Sequence, residues 1–514
     1  MKRTTLSLFA VTASLAVVTG VAALNPPSQG DDSGTKATSA RMPVQRSTLL
    51  CPSPTSSEVG DTTYTAFTPP GKGDGGRKSA ADLLPAAGSA RPVAKKDDAK
   101  KDKGAKDEKQ GAAERDPDKP VLSLKEPGKP VTATTDRSDA PALIGTADGP
   151  LAPGWTVQQT TTVAAGSGRG LHGVACAAPD TSFWFPGAST AKGRQDYVHL
   201  TNPDGAAAVV NLELYGKDGR VRSSTGEGVN IPPRSTVPVL LSTLTDATEE
   251  NLTLHVAARS GRVGAAVQAS DEKLGGDWLP ASADVSPTVV LPGIPADATS
   301  VRLVAFAPGT DDADVKLRLA GPSGSITPAG HESLHIKSGM TAAVDLGDIT
   351  KGEAGSLLLT AERGSAPVVA ALRVTRGKDD KQETAFIPAT AAILERGTVA
   401  DNRAKAGTLA LVAPGKEAQV KVTASAGSEG GTPVSRTYTV KAGTTLSVEP
   451  PQPGGGKGTY ALTVEKVSGG AVHASRILAL PKDGLPMFTV QPVADDRSTV
   501  AVPEAEQDLS MLND

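Results

Sequence analysis

Aromatic residues are scarce: Phe, Trp and Tyr together make up 3% of the 514 positions. That is too little to fill a large helical core, and it suits many short strands better. Histidine is rarer still, with 6 in the chain, which leaves little for acid–base chemistry. The near-balanced charge, −3 overall, excludes the basic footprint of a nucleic-acid binder. No G-x-S-x-G elbow occurs, and neither cysteine sits in a CxxC. What the chain has in quantity is Gly (55) and Pro (40), the punctuation of short strands joined by turns. Its length exceeds the roughly 250 to 300 residues at which a single core stops growing, so several domains are expected.

One long apolar run stands out. Lys2 and Arg3 precede Leu6 to Leu24, with Gly20, Ala22 and Ala23 small enough for a signal peptidase. Residues 1–24 therefore read as an export signal, or as an uncleaved membrane anchor with the rest outside. In such a compartment the lone pair Cys51 and Cys176 is most simply a disulfide, with a reactive or metal-binding thiol as the rival.

The stretch "TNPDGAAAVVNLELYGKDG" alternates, with Val210, Leu212 and Leu214 on one face and Asn211, Glu213 and Tyr215 on the other. The pattern returns in "APGTDDADVKLRLAGPSG" and again in "APGKEAQVKVTASAG". Each copy follows an apolar segment ending in Pro ("VHLTNP", "VRLVAFAP", "LALVAP") and precedes a marked turn, a strand and a closing hairpin. A degraded copy comes first. There "RSTLLCP" stands for the Pro-ending segment, "VLSLKEPGKPVTATT" for the middle turn and strand, and "ALIGTADGPLAPGWTVQQTTTV" for the hairpin.

The expected architecture is all-β: tandem immunoglobulin-like β-sandwiches behind an N-terminal export or anchor helix. The units are 41–178, 182–285, 286–392 and 396–492, with an acidic tail over 493–514. The first unit is split by a charged insertion, 71–118, expected to be disordered because "KKDDAKKDKGAKDEKQGAAERDPDK" has almost nothing apolar to bury. A disulfide from Cys51 to Cys176 would keep this split unit closed. A short helix near Ser242 to Glu250 is the one helical expectation beyond the N-terminus.

The N-terminal signal, "RSTLLCP", "RGLHGVACAAP", "FWFPGAS", "DYVHLTNPDGAAAVVNLELYGKDG" and the recurring hairpins together resemble an actinobacterial exported family, common in streptomycetes and known only as a domain of unknown function. The resemblance implies an extracytoplasmic location and carries over no catalytic residues.

Local chemistry is sparse. Aromatic-x-Pro recurs as "WFP" at Trp184, "WLP" at Trp278 and "FIP" at Phe386, read as aromatic plugs for the sandwich cores. Phe183, Trp184 and Phe185 cannot all face inward from an extended segment, so stacking on a ligand such as a sugar ring is the sharper reading there. "GRGLHG" (168–173) fits G-x-G-x-x-G but lacks a following helix, which leaves a Gly-rich inter-domain turn. "HESLH" (331–335) would need a helix to hold zinc and reads as a turn entering a strand, and the turn with Asp311, Asp312 and Asp314 is a weak calcium candidate. No catalytic, metal or cofactor residues are assigned, and no cofactor is expected.

The expected role is a non-enzymatic scaffold or binding protein of the cell envelope. Its partner would be a wall polymer or an envelope protein, and it would meet the membrane only through the N-terminal segment. An envelope hydrolase acting on glycan or peptide, with residues drawn from different units, and a secreted protease inhibitor are the alternatives.

Overall fold

The structure is a computed structural model that describes residues 40–71, 79–87 and 118–502. Two compact units divide the chain, one of residues 1–42 with 501–514 and one of residues 43–500. The expected export or anchor helix lies outside the described residues, as do residues 503–514 of the expected acidic tail. In the smaller unit the described residues belong to a two-stranded pair, Ala40–Pro43 with Thr499–Val502. The remaining sheets all belong to the larger unit.

Alternation produces the strands. In Ala208–Gly216 the side chains at Ala208, Val210, Leu212 and Leu214 are buried while those between are half-buried. In Ala313–Ala320 the outward positions Asp314, Lys316 and Arg318 are exposed. Every strand pairing within the four repeats is antiparallel. In the second repeat, Ser182–Ala188, Leu252–Ser260, Ala208–Gly216 and Gly219–Val221 lie side by side, with Val229–Ile231 also on Ala208–Gly216. The opposing sheet runs Thr236–Leu240, Arg194–Thr201, Gly264–Asp271, Gly275–Leu279. Counted along the repeat, with Gly219–Val221 and Val229–Ile231 taken as the two pieces of a broken fourth strand, one sheet holds the first, sixth, third and fourth strands, and the other the fifth, second, seventh and eighth. The same order recurs in all four repeats, and each has its own apolar core between its two sheets.

This order makes a sandwich, yet it departs from the immunoglobulin constant arrangement, in which the first strand lies beside the second. Here the first strand pairs with the sixth, as Ser182–Ala188 does with Leu252–Ser260.

The first repeat corrects two expectations. Within 71–118, Ala81–Pro85 is the third strand of the sandwich, with Ala81 and Leu83 buried. Its apolar residues are masked by the charged run after it, which lies outside the described residues. "RSTLLCP" is the first strand, Arg46–Cys51, and the counterpart of "VHLTNP" is Gly60–Phe67, which leads into Pro69. Threonines hide that strand from a search for apolar residues. Elsewhere, the helix expected near Ser242 is only a 3-10 turn at Leu241–Thr243, and "HESLH" enters the strand Ser333–Ile336.

The four sandwiches close into a ring. Gly170–Ala175, the eighth strand of the first repeat, meets Gly275–Leu279 on one side and Phe488–Pro492 on the other, and Glu383–Pro388 joins those two. Each first strand also packs on the seventh strand of the next repeat, and Arg396–Asn402 of the last packs on Thr156–Val163 of the first. "GRGLHG" thus starts in a turn at Gly168 and continues as an axial strand from Gly170. Its glycines allow close approach: a Cβ on Gly173 would lie 2.6 Å from Thr489 Cγ2, and one on Gly170, at φ +138°, 2.7 Å from Gly276 O. The aromatic plugs move with it. Trp278 packs with Val174 of the first repeat, and Phe386 joins the core of the second, so both fill space between sandwiches.

Candidate functional site at the seam of the first and second repeats

Three seams of the ring are sealed by a large apolar side chain at one equivalent position, two residues before the Pro that ends each second strand. Phe67 packs on Ala400 and Ala461. Phe306 lies 5.3 Å from the Trp184 ring and 4.7 Å from Tyr215. Val412 packs on Val290, Ala320 and Leu358. In the second repeat the position is Thr201, and two residues earlier, where the third and fourth repeats have Val304 and Ala410, stands His199.

The result is a hollow of about 420 Å³ reached by residues of all four repeats, including Trp155, Trp184, His199, Ala391 and Gln491. Its walls are mixed. Leu49, Leu50, Phe183 and Pro280 give apolar surface, while Asp284, Asp495, Asp496 and Arg497 bring charge. Three buried side chains on it carry nitrogens without a well-formed hydrogen bond: both ring nitrogens of His199, Nε1 of Trp155 and Nε2 of Gln491. Unpartnered buried donors are costly, and a ligand with acceptors would satisfy them. Burial holds His199 down at about 4, with Gln268 offsetting only part of the effect, so its ring is neutral and offers one donor and one acceptor. A second hollow of about 450 Å³, lined by Pro322, Glu353, Lys441 and Leu446 among others, has no such buried unpartnered atom.

The ring axis, where the four eighth strands meet, carries buried polar side chains. Asp277 is fully buried, and its Oδ1 accepts from the amides of Gly173 (2.9 Å) and Trp278 (2.8 Å). Burial drives its pKa well above the usual carboxylate range, against these hydrogen bonds and with a further push from Glu383. Glu383, 1% exposed, stands 3.4 Å from Arg169, and burial raises it to about 7. His172 shares a hydrogen bond with Gly168 O at 2.7 Å and is lowered to about 4 by burial.

Because the folded protein holds a proton on Glu383 up to about 7 and the unfolded chain only to 4.5, its contribution is full below the lower value and lost as pH rises through the upper. Between pH 5 and 8 the native protein is expected to lose about 2 kcal/mol more stability than Glu383→Gln. Urea midpoints of both proteins at the two pH values check this, and parallel shifts would refute it.

The residues singled out in the sequence are divided by the sheet. Phe183 and Phe185 point into the sandwich core, while Trp184 points out, half-buried, and stacks on His255 at 3.7 Å and 6°. Cys51 and Cys176 form the expected disulfide, with Cys176 on the wall of the hollow. In the acidic turn, His335 sits 2.8 Å from Asp314 and 3.5 Å from Asp312. Among the described residues no cluster of three or more His, Cys, Asp or Glu is arranged for a metal. His199 and Thr201 escape a reading of motifs because their signal is a comparison: a polar pair where the third and fourth repeats carry two apolar side chains.

A family model described as a family of unknown function (DUF5719) matches residues 131–451. No curated protein matches the chain. No solved structure matches it either.

Proposed function

We propose, for a chain that belongs to this family of unknown function, that it is an exported binding protein of the actinobacterial cell envelope whose ligand, a segment of wall glycan, seats in the seam hollow. The observation that carries the reading is the set of unpartnered nitrogens at Trp155, His199 and Gln491 beside the half-buried Trp184 indole. A sugar ring matches both features, because its flat face stacks on aromatics and its hydroxyl and ring oxygens accept hydrogen bonds. The disulfide supports an oxidising compartment, in keeping with the apolar run at Leu6 to Leu24. Four sandwiches closed on one another supply a rigid frame for such a site.

Trp155 and Trp184 line the hollow, and Trp278, itself buried, packs edge-on against the His199 ring at 5.2 Å. Titration with solubilised wall glycan is therefore expected to change tryptophan emission. Thr201→Phe, which installs the side chain that Phe67 and Phe306 provide at two other seams, is expected to weaken glycan binding at least about tenfold and to hold or raise stability by about 1 kcal/mol. Undiminished binding by a folded Thr201→Phe protein would place the ligand elsewhere, and capture of an envelope protein with no response to glycan would replace the ligand class.

A further inference from the structure

Ser182 stands on the rim of the same hollow, and two further polar side chains line up with it across neighbouring strands of the second repeat. Ser182 Oγ lies 3.0 Å from His255 Nε2, and His255 Nδ1 lies 2.9 Å from Glu213 Oε2. We propose that Ser182, His255 and Glu213 form a nucleophile–base–orienter relay that cleaves acyl esters presented in the hollow. This goes beyond binding, which needs no nucleophile.

The chemistry of the pairings assigns the protons. Burial raises the Glu213 carboxyl, but hydrogen bonds from His255 and Tyr215, then their charge environment, outweigh it and leave the pKa below the ordinary value. An ionised carboxylate can only accept, so Nδ1 of His255 carries the proton that Glu213 receives. In the neutral ring Nε2 is then bare and accepts from the Ser182 hydroxyl, as a general base requires. The Tyr215 hydroxyl donates to the same Glu213 oxygen at 3.0 Å and fixes the carboxylate.

The surroundings separate nucleophile from base in the useful sense. His255 and Glu213 are 15% and 20% exposed, and the Trp184 indole covers one face of the imidazole. Ser182 is exposed and lines the hollow.

The fold does not require this arrangement. Strand register places Leu50 and Ile144 of the first repeat, and Val290 and Leu358 of the third, where the second has Trp184 and His255. Opposite the sixth strand, Leu84 and Arg318 stand where the second repeat has Glu213. An apolar pair therefore serves this position elsewhere, and a Ser–His–Glu relay is peculiar to the repeat that also carries the open seam.

In the reaction, Ser182 Oγ bonds to the ester carbonyl carbon as its proton passes to His255 Nε2, and the carbonyl π pair moves onto oxygen. Collapse expels the alkoxide, which takes the proton from His255. Water then attacks the acyl-serine by the same route, releasing a carboxylic acid and restoring Ser182.

The full-length protein treated with a fluorophosphonate probe and analysed by peptide mass spectrometry tests this. A single adduct on Ser182 is expected, with 4-nitrophenyl acetate turnover that Ser182→Ala abolishes at unchanged melting temperature. His255→Gln is expected to slow labelling about 100-fold or more, and Glu213→Gln about tenfold or more. No adduct on Ser182 in the folded protein, adducts spread over exposed serines, or turnover that survives in Ser182→Ala would overturn the proposal. None of these results depends on glycan binding.

Discussion

Replacing Cys51 and Cys176 with serine is expected to cost about 4 to 5 kcal/mol in the chain-entropy account of a cross-link, here one that spans a sequence separation of 125. The loss should be local. The bond ties the end of the first strand, Arg46–Cys51, to the segment just past the eighth strand, Gly170–Ala175, so it closes the one sandwich that the charged insertion interrupts. The seam beside it is also the one without an aromatic or large aliphatic seal. Hydrogen exchange after the substitution is expected to rise first in Arg46–Cys51, Gly60–Phe67 and Gly264–Asp271. Equal loss of protection across all four sandwiches would show that the bond stabilises the ring as a whole instead.

A second large effect is expected where sandwiches meet. Phe67→Ala and Phe306→Ala should each cost about 3 to 5 kcal/mol, although neither side chain belongs to the core of its own sandwich. Both are 1% exposed, and their neighbours, Ala400 and Ala461 for Phe67 and Trp184 and Tyr215 for Phe306, come from the adjoining repeat. Tandem sandwiches linked like beads would leave these positions on the surface, where truncation costs within about 0.5 kcal/mol. Equilibrium denaturation of the two variants distinguishes the cases, and a change below about 1 kcal/mol in both would argue against a closed ring in solution. The third repeat also bonds the second through Thr341 Oγ1 to Tyr215 O at 2.7 Å, and the fourth bonds the third through Ser475 Oγ to Pro292 O at 2.8 Å. The seams are thus specific as well as apolar.

Much of the architecture is legible in the sequence because strand alternation is local. Val210, Leu212 and Leu214, then Val315, Leu317 and Leu319, and then Val420 and Val422 announce a buried face within a few residues of chain, and their recurrence announces a repeat. The first repeat reads one strand out of step where threonines replace apolar residues, and its third strand is lost in charge. Cys51 and Cys176 pair as their number alone suggests. The site is far less visible. Trp184 draws attention as an aromatic, but its partner His255 looks like one more isolated histidine, and Ser182 and Glu213 carry no motif at all.

By itself, then, the sequence determined an all-β chain of repeated sandwiches, because the two-residue period and the turn residues act over distances shorter than a strand. Tertiary structure alone decided which strands are neighbours, that four sandwiches close on one another, and that one seam stays open. Those outcomes depend on register. Ser182, Glu213 and His255 meet only because the sixth strand inserts between the first and third with Trp184 and Glu213 both opposite His255. A shift of the sixth strand by one residue would turn His255 to the other face, away from Ser182 and Glu213.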